Sequence, residues 1–180
     1  RKNNISLNSA WQLELNVHAY PQADKLLHAK ENNISQQYIL TDVAHLKESW
    51  EQSRLFLMPI NSNNGRIIGI CGFEISSVYF QQRTKQANYK GYPLITAILD
   101  KKADNEYQGQ LSNPASFVNA TIKMSSDGEH EFFTAGQESF IGYTAPLKVG
   151  ASEHKVAVML PADSYYHLQQ QAKMRLLIPL

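Results

Sequence analysis

Residues 55–76 read LFLMPINSNNGRIIGICGFEIS, and this stretch predicts a β-hairpin. Residues 55–60 are apolar and strand-length, residues 61–65 form a dense turn signal, and residues 66–76 supply a second strand. The second strand is apolar on both faces, which is typical of a central strand in a sheet. We therefore expect this hairpin to form the middle of a sheet.

Helices are predicted on the N-terminal side of the hairpin. Residues 9–28 have apolar positions at helical spacing and predict a long N-terminal helix, which Pro21 interrupts. A short strand is expected at residues 38–40. A second helix is expected over residues 41–53, where apolar residues recur at spacings of three and four: Val43, Leu46 and Trp50.

Beyond residue 88 the pattern changes to strands. Five candidates separated by turn signals lie at residues 92–99, 106–111, 131–135, 139–147 and 154–160. A last helix begins at Asp163, which is a favourable N-cap. The chain is therefore expected to be α+β, with an antiparallel meander and helices at both ends. The change of pattern divides it into a first module at residues 1–87 and a second at 88–180.

The composition excludes several classes of function. Lys and Arg number 17 against 16 Asp and Glu in 180 residues, so the net charge of +1 gives no basis for nucleic-acid binding. The single cysteine, Cys71, cannot form an internal disulfide or a cysteine metal cluster. The chain stops in the apolar run LLIPL, residues 176–180. A domain cut at a membrane helix would end in this way, and so would a domain that simply ends in a helix.

The motifs of common enzymes are absent from the sequence. The six histidines are scattered, and neither a His-Glu-x-x-His pair nor a Gly-x-Ser-x-Gly or Gly-x-Gly-x-x-Gly motif occurs. Residues 152–155 match Ser-x-x-Lys, but the partner motifs of that catalytic site are missing. We expect no catalytic residue, metal ligand or cofactor, and hence a protein that is not an enzyme.

Glu74 is the first candidate binding residue. Strand alternation places it on one face of the second hairpin strand together with uncharged residues: Ile68, Ile70 and Gly72. A carboxylate at the end of an apolar face must be solvated or meet a partner. That partner is either a structural group of the protein or the amine or hydroxyl of a ligand.

Trp50 is the second candidate, because it precedes the strand that pairs with the strand of Glu74. It is either a core residue or part of the lining of a ligand cavity, since such cavities favour aromatic side chains. Tyr38 and Arg54 could add polar groups to that lining, although Arg54 is equally compatible with a solvated position. Phe73 is expected in the core.

Two parts of the chain resemble Cache sensor domains. Residues 56–76 resemble the end of the first module, where a strand ending in Pro-Val or Pro-Ile leads to Gly-x-hydrophobic-x-Gly-Val-x-Gly-x-Asp-Ile-Ser. Residues 140–147 and 154–161 resemble the closing strands of the second module. The chain has Glu74 where the family commonly has Asp, and it lacks the Arg-x-Trp-Tyr pattern of amino-acid-binding members.

The resemblance implies PAS-like antiparallel sheets of the Cache type, with a long N-terminal helix and a C-terminal helix leading to the membrane. It implies an extracytoplasmic sensor anchored to the bacterial membrane by flanking transmembrane helices, with a cytoplasmic output domain beyond this chain. A small-molecule ligand and a homodimer formed through the N-terminal helix are also implied. The alternative is an exported domain that binds no ligand and has a structural or partner-binding role.

Overall fold

The computed structural model describes residues 21–27, 38–45, 52–79, 87–112 and 119–177, and these residues are mostly β-strand. The strands form a four-stranded N-terminal sheet, a closed six-stranded barrel and a small two-stranded ribbon. The expected α+β fold with PAS-like sheets is therefore wrong. The sequence pattern predicts strands separated by turns. It does not show that the last strand of a meander pairs with the first and so closes a barrel.

The N-terminal sheet is built around one long strand. Its elements are α1 (Pro21–Leu27), β1 (Ile39–Leu40), β2 (Ala44–His45), β3 (Gln52–Asn61) and β4 (Ile67–Ser76). β3 pairs with β1 and β2 along one edge and with β4 along the other. Helix α1 packs on one face, where a small apolar core is formed by Ala23, Leu26, Ile39, Leu55 and Leu57.

The predicted hairpin is present as β3 and β4, but its position in the sheet differs from the expectation. Within the described ranges β4 pairs only with β3, so it is an edge strand and not a central one. Its apolar side chains are consequently open to solvent: Ile68 is 65% exposed and Phe73 is 58% exposed. The prediction of Phe73 as a core residue is wrong for the same reason.

The predicted helices at the N-terminal end are also corrected. Of residues 9–28, the structure describes a helix at Pro21–Leu27, and residues 9–20 and 28 lie outside the described part. The helix expected over residues 41–53 is wrong at both of its described ends, because Ala44 pairs with Ser53 in an antiparallel ladder. Three apolar matches at helical spacing were too few to outweigh this pairing.

The barrel is an up-and-down meander. Its strands are β7 (Ile95–Ala103), β8 (Glu106–Ser112), β9 (Asn119–Ser126), β10 (Glu131–Ala135), β11 (Glu138–Val149) and β12 (Ser152–Pro161). Each strand pairs antiparallel with the next, and β12 pairs with β7 to close the ring. The ribbon β5 (Asn88–Tyr89) and β6 (Tyr92–Pro93) precedes it.

Apolar side chains fill the interior of the barrel. Alternate residues of each strand point inward and form one buried cluster, which includes Leu99, Tyr107, Ile122, Phe133, Phe140 and Met159. The barrel is thus a packed core rather than a channel, as expected for so few strands.

The predicted C-terminal helix is present as α2 (Ala162–Leu177), and it follows β12 directly. No helix among the described residues is long and apolar enough to cross a membrane.

Candidate functional site

A buried charged cluster lies where the N-terminal sheet meets the barrel. It consists of Arg54 on β3, Asp100 on β7 and His154 on β12, whose side chains are at most 2% exposed. The Arg54 guanidinium binds Asp100 in a two-pronged geometry, with Nη1–Oδ1 at 2.7 Å and Nη2–Oδ2 at 2.9 Å. Such bidentate pairs are among the stronger polar contacts in proteins. We call these three residues the joint cluster.

The register of the barrel explains why two of these residues meet. Leu99 pairs with Lys155 in the ladder that closes the barrel, so Asp100 and His154 lie side by side at the end of that ladder. Leu99 points into the barrel, and strand alternation turns Asp100 outward. An outward-facing carboxylate would normally be solvated. Here the N-terminal sheet covers it and supplies Arg54.

Further hydrogen bonds tie the joint cluster to the backbone of the N-terminal sheet. The amide of Val43 donates to Asp100 Oδ2 at 3.1 Å, and Arg54 Nη1 donates to the Thr41 carbonyl at 3.1 Å. His154 contacts Asp100 Oδ1 through Nδ1 at 2.9 Å and the Leu40 carbonyl through Nε2 at 3.0 Å. Both ring nitrogens therefore face groups that can accept a hydrogen bond.

The surroundings of Asp100 favour its charged form. Burial by itself would raise the pKa of this carboxyl group. The hydrogen bond from His154, the hydrogen bond and positive charge of Arg54 and the Val43 amide together outweigh burial, and the pKa of Asp100 lies below its ordinary value. Asp100 is thus the negative centre that holds the two parts of the protein together.

The joint cluster does not favour a metal ion. One donor atom each of Asp42, Asp100 and His154 lie within 4.8 Å of one another, which is a spacing that could suit a cation. Both Asp100 oxygens, however, already bind the guanidinium of Arg54, which occupies the place of a cation beside the carboxylate. Asp42 also pairs with Lys102, at 3.5 Å.

A row of aromatic side chains crosses the N-terminal sheet on the same face as Arg54, with Tyr38 and Phe73 exposed and Phe56 half-buried between them. The ring centroids of Tyr38 and Phe56 are 5.5 Å apart, and those of Phe56 and Phe73 are 5.1 Å apart. Met58 and Cys71 pair across β3 and β4 beside this row and are exposed. We call these five residues the aromatic face. A contiguous exposed apolar surface of this kind often marks a binding site.

The backbone of β1 connects the aromatic face to the barrel. The Tyr38 carbonyl accepts a hydrogen bond from the Ala151 amide at 3.1 Å, and the Leu40 amide donates to Ser152 Oγ at 2.7 Å. Gly150 has a φ of 59° and abuts Tyr38 so closely that a Cβ atom would collide with the Tyr38 carbonyl. The β11–β12 turn is therefore seated directly against β1.

The structure separates the residues that the sequence grouped as a binding site. Tyr38 is in the aromatic face, and Arg54 is fully engaged in the joint cluster. Glu74 pairs with Leu55, so it lies on the opposite face of the sheet, where its carboxylate accepts a hydrogen bond from Ser53. Trp50 lies outside the described residues. The proposed contacts of these four residues with a ligand remain predictions.

Sequence reasoning missed Asp100 and His154. Asp100 ends the apolar run ITAILD and lies just beyond the strand predicted at residues 92–99. A carboxylate at the end of a run of strand residues is a usable signal for a buried ion pair, but it does not identify the partner. His154 had no signal beyond its place at the start of an apolar strand.

Comparison of the chain with protein-family models, with curated proteins and with solved structures gave no match.

Proposed function

We propose that the chain is the extracytoplasmic ligand-sensing domain of a transmembrane signalling receptor, and that it binds a small molecule on the aromatic face. The observation that carries this proposal is the double role of Tyr38. Its ring belongs to the aromatic row, while its carbonyl holds the β11–β12 turn of the barrel. A structural change at Tyr38 can therefore act directly on the β11–β12 turn of the barrel.

The chemistry of the aromatic face specifies the class of ligand. Arg54 is the one charged side chain on this face within the described strands of the N-terminal sheet, and Asp100 already neutralises it. The exposed groups are aromatic rings and a thioether, which favour stacking and apolar contact. We therefore propose an uncharged, planar ligand with an aromatic or conjugated ring.

The route of the signal follows from the connections of β12. This strand begins at the turn that contacts Tyr38, and it ends where α2 begins. A ligand shifts such a system only if it binds one arrangement of β1 and the turn better than another. Movement of β12 would then reach α2, which we propose to be the output of the domain toward the membrane.

A thermal-shift screen of the purified chain against aromatic and conjugated small molecules tests the proposal. A ligand present at 100 times its Kd adds about 2.7 kcal/mol of stability, which gives a clear rise in Tm. Phe73→Ala should abolish the shift without unfolding the protein, because the ring is largely exposed. The matched control is Tyr143→Ala, which removes a 62% exposed ring from the barrel and should leave the shift intact.

A second candidate function is an exported domain that binds a protein partner and no small molecule. The same exposed aromatic face favours it, since interfaces are enriched in aromatic residues and methionine. A screen without any stabilising compound would support this alternative over the sensor. Glu74→Ala belongs in the same experiment, because loss of a ligand shift in that variant would restore Glu74 as a ligand anchor.

A further inference from the structure

The turn between β3 and β4 contains the single Asn-Gly pair of the chain, Asn64-Gly65. The Asn64 side chain is exposed, and the Gly65 backbone has a φ of 81°. Glycine lacks a Cβ atom, so its nitrogen is the least hindered backbone nucleophile that a preceding asparagine side chain can meet. Attack of that nitrogen on the side-chain amide is a main cause of the thermal lability of asparagine. This turn therefore combines the reactive pair with access to water.

The oxygen of the Asn64 amide already contacts hydrogen-bond donors. The Arg66 backbone N–H donates to Asn64 Oδ1 at 3.3 Å, and the Ser62 hydroxyl is shared between this oxygen and the Arg66 carbonyl. Because a backbone N–H only donates, the Arg66 contact identifies the atom as the amide oxygen. This oxygen gains negative charge when a nucleophile adds to Cγ, and a donor aimed at such an oxygen favours the addition. The Arg66 N–H is therefore placed to stabilise the addition.

We propose that Asn64 is a site of spontaneous deamidation. The Gly65 nitrogen, after losing its proton to hydroxide, attacks Asn64 Cγ and forms a new N–Cγ bond. The Cγ–Nδ2 bond then breaks, and the amide nitrogen takes a proton from water and leaves as ammonia. Water opens the resulting succinimide at one of its two carbonyls, which gives either aspartate or isoaspartate. The sequence of steps consumes water, releases ammonia and requires no oxidant or reductant.

The hydrogen bonds of the turn determine what the product does to the hairpin. The Gly65 amide donates to the Ser62 carbonyl at 2.9 Å, and the Ser62 amide donates to the Arg66 carbonyl at 2.8 Å. The first bond must open before the attack, and exposed turns open at little cost in free energy. Isoaspartate adds a methylene group to the backbone inside the loop that these bonds close. We therefore expect the isoaspartyl form to lose them and the β3–β4 hairpin to become less stable.

The chain contains a related pair that serves as an internal comparison. Asp127-Gly128 lies in the β9–β10 turn, and Gly128 also has a positive φ, of 95°. Closure of the same ring at an aspartate requires a protonated carboxyl group. The backbone amides of His130 and Glu129 donate to Asp127 Oδ1 at 2.7 and 3.0 Å and hold the pKa of this carboxyl below its ordinary value. Asp127 therefore stays ionised and should not react.

Ageing of the whole purified chain in warm, mildly alkaline buffer tests the proposal. Trypsin cuts after Arg54 and Arg66, so the peptide of residues 55–66 carries both Asn63 and Asn64. Fragment-ion mass spectrometry locates each converted amide, and protein isoaspartyl methyltransferase labels the isoaspartyl product. We expect Asn64 to lose its amide completely, while Asn63, which is also exposed but precedes another asparagine, keeps it. Asp127 should yield no isoaspartate over the same period.

Two variants test the mechanism. Gly65→Ala places a Cβ atom beside the attacking nitrogen and should preserve most of the Asn64 amide. The matched control is Gly136→Ala at another turn glycine with positive φ, and it should leave the loss unchanged. Circular dichroism checks that both variants are folded. In the wild type the loss should become faster as the pH rises, since only the deprotonated Gly65 nitrogen attacks.

The contrary results are distinct. An Asn64 amide that persists in the folded chain, while the chain unfolded in guanidinium loses it, overturns the proposal. Equal conversion of Asn63 and Asn64, or a rate that does not depend on pH, also overturns it. The isoaspartyl form, separated by ion exchange, should have a lower Tm than the fresh chain, and an unchanged Tm overturns the expected effect on the hairpin. No measurement here involves a ligand, so the outcome is independent of the proposed function.

Discussion

Replacement of Asp100 by Asn tests how much the joint cluster contributes to folding. The change keeps the shape of the side chain and removes its negative charge. In the wild type the Arg54 guanidinium lies 2.7 and 2.9 Å from the two carboxylate oxygens. In the variant Arg54 therefore stays buried without its counter-charge. Val43 and His154 also use these oxygens, so an amide nitrogen at one position forfeits acceptor contacts.

The expected loss is large. Breaking a buried ion pair by removing one partner costs about 3–5 kcal/mol, because the remaining charge retains its desolvation penalty. A native domain is stable by about 5–15 kcal/mol, so this loss is a substantial fraction of the total. The matched control is Asp104→Asn on the same hairpin. Its side chain is 99% exposed and pairs with Lys101 at 3.3 Å, a contact expected to contribute less than about 1 kcal/mol.

Urea unfolding at pH 7, followed by far-ultraviolet circular dichroism, measures both effects. A third variant, Arg54→Met with Asp100→Leu, removes both charges and should be more stable than Asp100→Asn, since no unpaired ion is left. The reasoning is refuted if Asp100→Asn costs less than about 1 kcal/mol, or if it costs no more than Asp104→Asn.

Two further predictions concern acid stability and the seat of the β11–β12 turn. Because the pKa of Asp100 is lower in the folded chain than in the unfolded chain, its stabilisation is complete above about pH 4 and is lost as the pH falls through the folded value. Acid titration of the free energy of unfolding should therefore show a steeper decline for the wild type and Asp104→Asn than for Asp100→Asn. Gly150→Ala should cost about 1–3 kcal/mol more than Gly136→Ala. Both glycines have positive φ, but a Cβ at Gly150 collides with Tyr38 and one at Gly136 meets open space. Equal losses of unfolding free energy in the two variants would contradict the seating of the turn on β1.

The sequence predicted individual strands and turns better than it predicted how the strands pair. The β3–β4 hairpin and five of the barrel strands follow from alternation and turn residues. β9 was missed because its sequence, NATIKMSS, is mostly polar and Ile122 is its one fully buried side chain. Closure of the barrel could not be read from the chain, because the pairing of Met159 with Ile95 depends on twist accumulated over six strands.

The candidate site was harder still to predict, because burial at the joint depends on two distant parts of the chain. Arg54 was identified as a residue with a polar role, but its partner lies on a strand of the barrel. Glu74 was recognised as unusual from its place on an apolar face. Its position on an edge strand, which exposes it to solvent, depends on which strands flank β4, and local pattern carries no information on that order.

The place of the joint cluster at the seam of the barrel has a consequence for synthesis of the protein. Domains usually fold in the order in which they leave the ribosome, with the N-terminal one first. Here Arg54 emerges early, whereas Asp100 and His154 become neighbours only when β12 has closed the ring on β7. If the Arg54 guanidinium were buried before β12 paired with β7, its charge would be removed from water without a counter-charge. We therefore expect that the N-terminal sheet packs fully against the barrel only after all six barrel strands have been synthesised and the barrel has closed.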